Sequence, residues 1–139
     1  MSNIGLVIPC YNEAKRIDIE YISHILTDWQ DWLTVLFVDD GSTDETGRIL
    51  GNICLRNTKV LSLKLNSGKA EAVRQGLIHL MNRDDFDLIG YWDADMSTPL
   101  ETLPNMLDIA NLKPHLLAVI GSRVKLCGRD IKRNGSIYL

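Results

Sequence analysis

The chain has 139 residues, enough to bury the core of one compact domain, and we do not expect it to hold two. Hydrophobic residues make up 45% and charged residues 24% of the chain, as in ordinary globular proteins, and no apolar run approaches the roughly twenty residues that span a bilayer. The formal net charge of −3 leaves no basic footprint, so nucleic acid is not an expected partner.

The cysteines and the N-terminus both favour a cytoplasmic protein. Cys10, Cys54 and Cys127 are widely spaced, cannot all pair and lack the spacing of a metal site, so free thiols in a reducing compartment are expected. Residues 1–9 contain no basic segment before their apolar run, which argues against a signal peptide.

In chain order, the pattern of apolar residues alternates between strands and helices. The strand runs are short and nearly continuously apolar, which is typical of parallel strands buried on both faces. The sequence predicts strands at 4–9, 33–40, 59–65, 86–95 and 116–122, with intervening helices at 13–28, 43–56, 69–82 and 99–112. This alternation predicts right-handed crossovers and a doubly wound α/β domain with a mostly parallel sheet.

Polar residues follow each apolar run. Ligands bind at the carboxyl ends of the strands in open α/β sheets, so these residues are candidates for a site. They are Pro9–Glu13, Asp39–Ser42, Asn66–Lys69, Asp93–Asp95 and Gly121–Arg123. Turn chemistry explains the glycine, asparagine and serine in these groups, but it does not require four aspartates at one edge.

Asp93 and Asp95 stand one residue apart at the end of the fourth predicted strand. In an extended strand, residues i and i+2 point to the same side, so the two carboxylates are expected to face each other. Like charges so placed call for a raised pKa or a bound cation.

The phosphate-binding motifs of other α/β proteins do not fit. No G-x-G-x-x-G follows the first strand, and Ala70 after Gly68-Lys69 breaks the Walker pattern. A receiver-like phosphoacceptor domain needs acids after strands one and three, whereas here they follow strands two and four.

Four segments in order resemble the signature of family-two glycosyltransferases of the GT-A fold: Val7–Glu13, Val38–Asp44, Asn66–Lys69 and Asp93–Asp95. The longer run Asp93–Pro99, followed by Gly121–Arg123 and Ile131-x-Arg133, is similar to the polyprenyl-phosphate branch, which includes dolichyl-phosphate glucosyltransferases. Trp92 departs from the family pattern and is predicted to be a core residue. The resemblance implies a three-layer α/β fold with helices on both faces of the sheet, incomplete at the C-terminus.

The resemblance also implies roles for the acids. Asp93 and Asp95 would be the catalytic carboxylates that hold Mg²⁺ or Mn²⁺ against the donor's diphosphate, with Asp95 as direct ligand and Asp93 on the ribose or on a metal-bound water. Asp40 would accept a hydrogen bond from the nucleotide base. Asp39 would either join it or brace the turn at Gly41.

The other implied contacts surround the same donor. Pro9, Tyr11 and Glu13 would line the nucleotide pocket, and Lys69 would contact the nucleotide's phosphates. Arg123 and Arg133 are further candidates for phosphate contact.

The implied reaction is an inverting transfer of a sugar from a UDP- or GDP-linked donor. The acceptor would be a polyprenyl phosphate or a growing cell-surface glycan. Residues 1–139 would form the nucleotide-sugar-binding part of a single GT-A domain, inactive by itself. The acceptor-binding part, and any membrane association at the cytoplasmic face, would lie beyond residue 139.

Two alternatives stay open at this point. A sugar-phosphate nucleotidyltransferase shares the α/β layout and the metal, but needs a Gly-rich basic loop after the first strand. A non-catalytic domain would keep the nucleotide pocket without turnover.

Overall fold

The computed structural model describes residues 2–121 of the chain. Arg123, Arg133 and Cys127 therefore lie outside the described residues. The elements in chain order are β1 (Ile4–Cys10), α1 (Ile19–Asp28), β2 (Leu33–Asp39), α2 (Thr46–Gly51), β3 (Thr58–Ser62), α3 (Lys69–Met81), β4 (Leu88–Tyr91), a 3-10 turn (Leu100–Thr102) and α4 (Leu103–Leu112).

The four strands form one parallel sheet in the order β3-β2-β1-β4. Every residue of β1 is buried, because this strand lies between β2 and β4. Its apolar sequence reflects that position, since both faces of a central parallel strand are covered. The parallel sheet predicted from the apolar runs is confirmed.

Helices cover both faces of the sheet. On one face α3 packs on Val7, Leu36 and Val38, with Ala72 and Leu80 completing a buried cluster. A Cβ on Gly76 would lie 2.6 Å from Cγ1 of Val7, so this glycine permits the close approach of α3.

The other face carries α2, which packs against β2 and β3. The side chains of Val35, Phe37 and Asp39 point to the same face of the sheet. Oδ2 of Asp39 lies 2.8 Å from the position that a Cβ on Gly47 of α2 would occupy. Because Val38 faces α3, α2 lies on the opposite side. This is the three-layer α/β arrangement that the family resemblance implied.

Two predicted helices are longer than the observed ones. The helix predicted at 13–28 begins only at Ile19, where Asp18 accepts a hydrogen bond from the N–H of Tyr21 at 3.0 Å as its N-cap. The helix predicted at 43–56 is reduced to α2, because the side chains at 42–46 bond a neighbouring loop instead. By contrast α3 ends one residue before its predicted end, at Met81.

One strand prediction is too long, and another is wrong over its described residues. The fourth strand, predicted at 86–95, ends at Tyr91, because its pairing with β1 reaches only Val7; the Trp92 N–H makes one further bond to the Val7 carbonyl. The segment predicted as a strand at 116–122 is irregular over 116–121, and Leu117 is fully exposed. A strand needs a neighbouring strand to pair with, and among residues 2–121 the sheet contains only β1 to β4.

The chain forms two compact units, Met1–Glu101 and Thr102–Leu139. The sheet and its three flanking helices belong to the first. The described part of the second, Thr102–Gly121, contains α4, with Pro104 in its first turn. Within residues 2–121, no helix combines the length and the hydropathy that a membrane crossing requires.

Candidate functional site

The predicted site residues of the first unit follow the carboxyl ends of its strands. Pro9 lies in β1 and Asp39 ends β2, while Lys69 begins α3. Tyr11 is 43% exposed, and Asp93 and Asp95, the acids predicted to hold the metal ion, are not buried either. The fold thus gathers these side chains at one edge of the sheet, as expected from the parallel topology.

Asn12 ties the loop after β1 to the loop after β2. Its Oδ1 accepts the N–H groups of Thr43 at 2.9 Å and Asp44 at 3.3 Å, and its own N–H donates to Ser42 Oγ at 3.0 Å. Its φ of 52° is in the left-handed region, which asparagine tolerates better than most residues. Asn12 therefore bridges the two loops.

The second loop returns these bonds. Thr46 Oγ1 accepts the Glu13 N–H at 2.8 Å, and Asp44 Oδ2 accepts the Ala14 N–H at 3.3 Å. The Thr46 hydroxyl also donates to Asp44, which lowers the pKa of Asp44. We call residues 11–14 and 42–46 the braced loops, because each satisfies the backbone donors of the other.

Asp39 and Asp40 support the framework around the braced loops. Asp39 accepts the Ser42 N–H at 3.1 Å, which closes the turn at Gly41. Asp40 is only 2% exposed, and its two oxygens accept the N–H groups of Ser67 and Gly68, each at 2.8 Å. Asp40 thereby fixes the backbone that leads into α3, and the predicted contact between Asp40 and a nucleotide base stays a prediction.

Pro9 stands where β1 and β4 separate. The Val7 carbonyl accepts the Trp92 N–H on the β4 side, and the Cys10 carbonyl accepts the Asp40 N–H on the β2 side. Because the backbone groups of successive residues point alternately to the two neighbouring strands, those of residue 9 point toward β4, whose pairing with β1 has already ended at Val7. A proline without an N–H leaves no donor unpaired at this point, so β4 can diverge from β1 there.

Glu13 has a buried carboxylate oxygen that accepts no hydrogen bond. Its Oε1 accepts from Arg16 at 2.7 Å, whereas Oε2 is buried with no hydrogen-bond partner. Burial raises the pKa of the neighbouring Cys10 thiol, and the charge of Glu13 raises it further. An unpaired buried carboxylate oxygen is costly, so a ligand donor would be favoured there.

The two acids after β4 lie in a turn and not in a strand. The Met96 N–H donates to the Asp93 carbonyl at 3.2 Å, and Met96 has a φ of 49°. We call Asp93–Met96 the acid turn. The expectation that Asp93 and Asp95 share a face of an extended strand is therefore wrong, because β4 has ended before them.

The acid turn is anchored by its apolar neighbours. Trp92 is buried and its Nε1–H donates to the Thr98 carbonyl at 2.8 Å, which confirms it as a core residue. Ala94 is also buried, so the backbone between the two acids is held down. Asp95 accepts the Ser97 N–H at 3.0 Å, and this bond, followed by one from the Ser97 side chain and by the charges of Arg16 and Lys69, lowers the pKa of Asp95.

A cation already lies beside the acids. Lys69 Nζ and Asp93 Oδ1 are 2.5 Å apart, and that hydrogen bond, aided by the charges of Asp93 and Asp95, raises the pKa of Lys69. Neighbouring carboxylates were expected to have either a raised pKa or a cation close by. The structure places the Lys69 ammonium beside them. The pKa of Asp95 is lowered, so the expectation of a raised pKa is wrong for this residue.

The chemistry of the acid turn fits a divalent ion that binds together with a phosphate. Among residues 2–121, no group of three or more acidic, histidine or cysteine side chains could hold a metal by itself. Mg²⁺ keeps several waters and commonly binds through one or two carboxylates plus substrate phosphates. Asp93 and Asp95 supply two such carboxylates, and the Lys69 ammonium provides the positive charge beside Asp93 when no metal ion is bound.

Some site residues were not assigned from the sequence. Arg16 pairs with Glu13, and its charge contributes to the lowered pKa of Asp95 in the acid turn. Its spacing of three residues from Glu13 was the available signal. Asn12 and Asp44 were part of the quoted motifs and Thr46 was not, and their reciprocal bonding depends on two loops that are about thirty residues apart.

A groove at the opposite edge of the sheet has different chemistry. Its volume is about 250 Å³, and it lies near Asn3, Leu33 and Lys59, by the amino ends of the strands. Both arginines that line it are paired with acids, Arg56 with Asp31 and Arg83 with Asp85. We therefore place the candidate site at the acid turn and not in this groove.

The chain is similar to known transferases over most of its length. The sequence model of the family described as "Glycosyl transferase family 2" matches residues 6–137. Dolichyl-phosphate beta-glucosyltransferase from Saccharomyces cerevisiae is 31% identical, covering 94% of this chain and 44% of the yeast protein. Bactoprenol glucosyl transferase from Shigella phage SfV is 29% identical over 76% of this chain and 34% of its own length.

Solved structures agree with the fold. A mannosyltransferase from Pyrobaculum calidifontis, in complex with GDP-Man and Mn²⁺, has a TM-score of 0.62 and 25% identity over 78% of this chain and 32% of its own. Glucosyl-3-phosphoglycerate synthase from Mycobacterium tuberculosis gives 0.55 at 23% identity, over 80% of this chain and 40% of its own, and supports the fold alone. The chain spans less than half the length of each of these proteins.

Proposed function

Because this chain belongs to glycosyltransferase family 2, we propose that it forms the nucleotide-sugar-binding part of one metal-dependent, inverting glycosyltransferase domain. The observation that carries the proposal is the acid turn, whose two unburied carboxylates stand beside Lys69 at the carboxyl edge of the sheet. The similar mannosyltransferase in complex with GDP-Man and Mn²⁺ supports both the donor class and the ion.

The braced loops would receive the nucleotide. Tyr11 presents an exposed ring, and the unpaired Oε2 of Glu13 can accept an N–H or O–H donor from the base or ribose. Pro9 allows β4 to diverge at the base of this pocket. Asp39 and Asp40 would serve the nucleotide by holding the surrounding backbone, since their carboxylates already accept its N–H groups. Uracil and guanine both carry ring N–H donors, so either base suits these acceptors.

The acid turn would face the diphosphate. Asp95 is the proposed direct ligand of Mg²⁺ or Mn²⁺, with Asp93 on the ribose or on a metal-bound water. When bound, such an ion supplies Lewis-acid stabilisation of negative charge on the departing nucleoside diphosphate. Lys69 would contact the phosphates, as would Arg123 and Arg133, which lie outside the described residues.

The reaction would be a displacement at the anomeric carbon. An oxygen of the acceptor forms the new bond to that carbon as the bond to the diphosphate oxygen breaks, with inversion. A polyprenyl phosphate acceptor is already ionised near neutral pH and needs no general base, unlike a sugar hydroxyl. The names of the yeast and phage relatives favour a polyprenyl phosphate.

Calorimetry with UDP and GDP, each with and without Mn²⁺, tests the proposal. We expect one nucleotide to bind only with the ion, and Asp95→Ala to weaken that binding at least about tenfold, the loss of a charged ligand group. Asp28→Ala is the matched control, because Asp28 is an exposed aspartate at the end of α1. Binding that is indifferent to both Mn²⁺ and Asp95 would count against a transferase.

The remaining alternative is a nucleotide-binding domain without turnover. It predicts the same calorimetry but no transfer by the longer protein that contains this sequence. Sugar transfer from the nucleotide-sugar to a lipid phosphate by that protein would exclude it. Family membership leaves the nucleotidyltransferase alternative without support.

A further inference from the structure

We propose that Lys69 is an exchangeable counter-ion: its ammonium holds Asp93 until the donor arrives and would then move to the donor's diphosphate, which leaves Asp93 free to hold a water of the divalent ion on Asp95. This inference rests on the proposed function and adds a coupling to it. Binding of the ion alone would be weak, and binding of the nucleotide would release Asp93 for a water bound to the ion.

The ion pair itself is suited to exchange. The side chains of Lys69 and Asp93 are 61% and 45% exposed, so solvent reaches both partners. Exposed pairs of this kind contribute at most about 1 kcal/mol, which a ligand of higher charge can exceed. The pair is therefore strong enough to occupy the site and weak enough to be replaced.

The backbone of Lys69 is fixed although its side chain is not. Asp40 holds the N–H groups of Ser67 and Gly68, immediately before Lys69, and Asp40 is itself buried. The ammonium can therefore move on its flexible stem while the start of α3 stays in place. Asp40 is a positioning residue in this scheme.

The charges give the coupling its sign. Asp93 and Asp95 carry two negative charges, and the Lys69 charge acts on both. A divalent ion on Asp95 without a nucleotide would lie beside this ammonium, so the two cations would repel each other. A diphosphate brings negative charge that attracts the ammonium away, so ion and nucleotide favour each other's binding, as reciprocal coupling requires.

The test compares Lys69→Met and Lys69→Gln with Lys64→Met in the 139-residue chain. Lys64 is an exposed lysine in the loop before α3 and serves as the matched control. Mn²⁺ binding without nucleotide is measured by electron paramagnetic resonance, and UDP and GDP binding at saturating Mn²⁺ by calorimetry. Thermal unfolding checks that each variant is folded.

The two readouts should move in opposite directions. Without nucleotide, both Lys69 variants should bind Mn²⁺ about three- to fivefold tighter, the change expected on losing an exposed ion pair. At saturating Mn²⁺, the same variants should bind the nucleotide at least about fivefold more weakly, because a phosphate contact is lost. Lys64→Met should change neither.

The failures can be told apart. If unaltered chain binds nucleotide only with Mn²⁺ but the Lys69 variants bind Mn²⁺ alone no tighter, the exchange is wrong and the proposed function stands. Variants in which both affinities fall would likewise contradict the exchange and indicate a purely structural lysine. If the unaltered chain binds neither UDP nor GDP with Mn²⁺, the proposed function fails and the exchange fails with it.

Discussion

The braced loops and the acid turn meet at the same edge of the sheet but are held in different ways. In the braced loops, side-chain oxygens of Asn12, Asp44 and Thr46 satisfy backbone N–H groups across two loops. The acid turn has a buried anchor in Trp92, but its outer charge is balanced by the exposed Lys69. A site can thus combine one part that is formed in advance with another whose internal partner a ligand can replace.

This difference has an energetic meaning. Ordering a loop on binding reduces affinity, so loops that are already bonded favour the ligand that fits them. Charges that lack a strong partner are costly before binding, and an exchangeable ion pair reduces that cost without closing the site. The comparison predicts that damage to the braced loops lowers stability, whereas changes at the acid turn alter binding.

The largest effect is expected from Gly41→Ala, at the turn that joins β2 to the second braced loop. Gly41 has a φ of +67°, and a Cβ there would lie 2.6 Å from the backbone nitrogen of Asn66. Neither the backbone conformation nor the contact can relax cheaply, so we expect a loss of about 2–4 kcal/mol in the free energy of unfolding. Urea denaturation monitored by circular dichroism measures it.

Gly51→Ala is the control for this prediction. Gly51 ends α2, and a Cβ added there would meet nothing within 4 Å. We expect a change within about 0.5 kcal/mol, or a slight gain from the better helix propensity of alanine. Equal losses in the two variants would show that the backbone at Gly41 does not limit the turn.

A smaller loss is expected from Asn12→Gly, which removes the bridge between the braced loops. Glycine adopts the φ of 52° at this position without strain, so the substitution isolates the lost side-chain acceptor. Because the N–H groups of Thr43 and Asp44 lose their partner, we expect about 1–2 kcal/mol of destabilisation by urea denaturation and weaker nucleotide binding by calorimetry.

Asn52→Gly separates this effect from a general response to glycine. Asn52 is the exposed C-cap of α2, a position that glycine tolerates. Its stability and nucleotide affinity should stay close to those of the unaltered chain. If Asn12→Gly behaves in the same way, the loops are held by other bonds and the contrast with the acid turn disappears.

The sequence predicted the strands and helices whose pattern comes from burial. In β1 and β2 the apolar runs are continuous because both faces are covered, and in α3 the buried residues recur every four positions at Ala72, Gly76 and Leu80. The predicted helix boundaries were wrong where side chains form hydrogen bonds with residues far away in the sequence. Asn12 bonds Thr43 and Asp44 in the loop after β2, and the helix predicted from residue 13 begins only after Asp18, its N-cap.

The candidate site was predicted in position but not in detail. Parallel topology was enough to bring Asp39 and Asp93 to one edge of the sheet. The turn at Asp93–Met96 depends on where β4 stops pairing with β1, which no local pattern indicates. The contact between Lys69 and Asp93 joins residues 24 apart, so the cation beside the acids could be expected but not named.

The smallest effect is expected from Tyr21→Phe, which concerns the segment that follows the acid turn. The Tyr21 hydroxyl accepts the Leu100 N–H at 3.0 Å and donates to Glu101, tying this segment to α1. Its loss should lower the free energy of unfolding by about 1 kcal/mol at pH 7. Tyr91→Phe is the control, because the Tyr91 side chain is more than half exposed on β4.

The pH dependence of the same variant gives a sharper test. Burial, and next the bond to Glu101, raises the pKa of Tyr21 above 10.0, its usual value. The unfolded chain therefore loses this proton first, so the stabilisation is complete below about pH 10 and declines as the pH rises through the folded pKa. In Tyr21→Phe this alkaline decline should be smaller than in the unaltered chain and in Tyr91→Phe. Identical slopes in all three proteins between pH 8 and about pH 11 would show that the hydroxyl does not hold the segment after the acid turn.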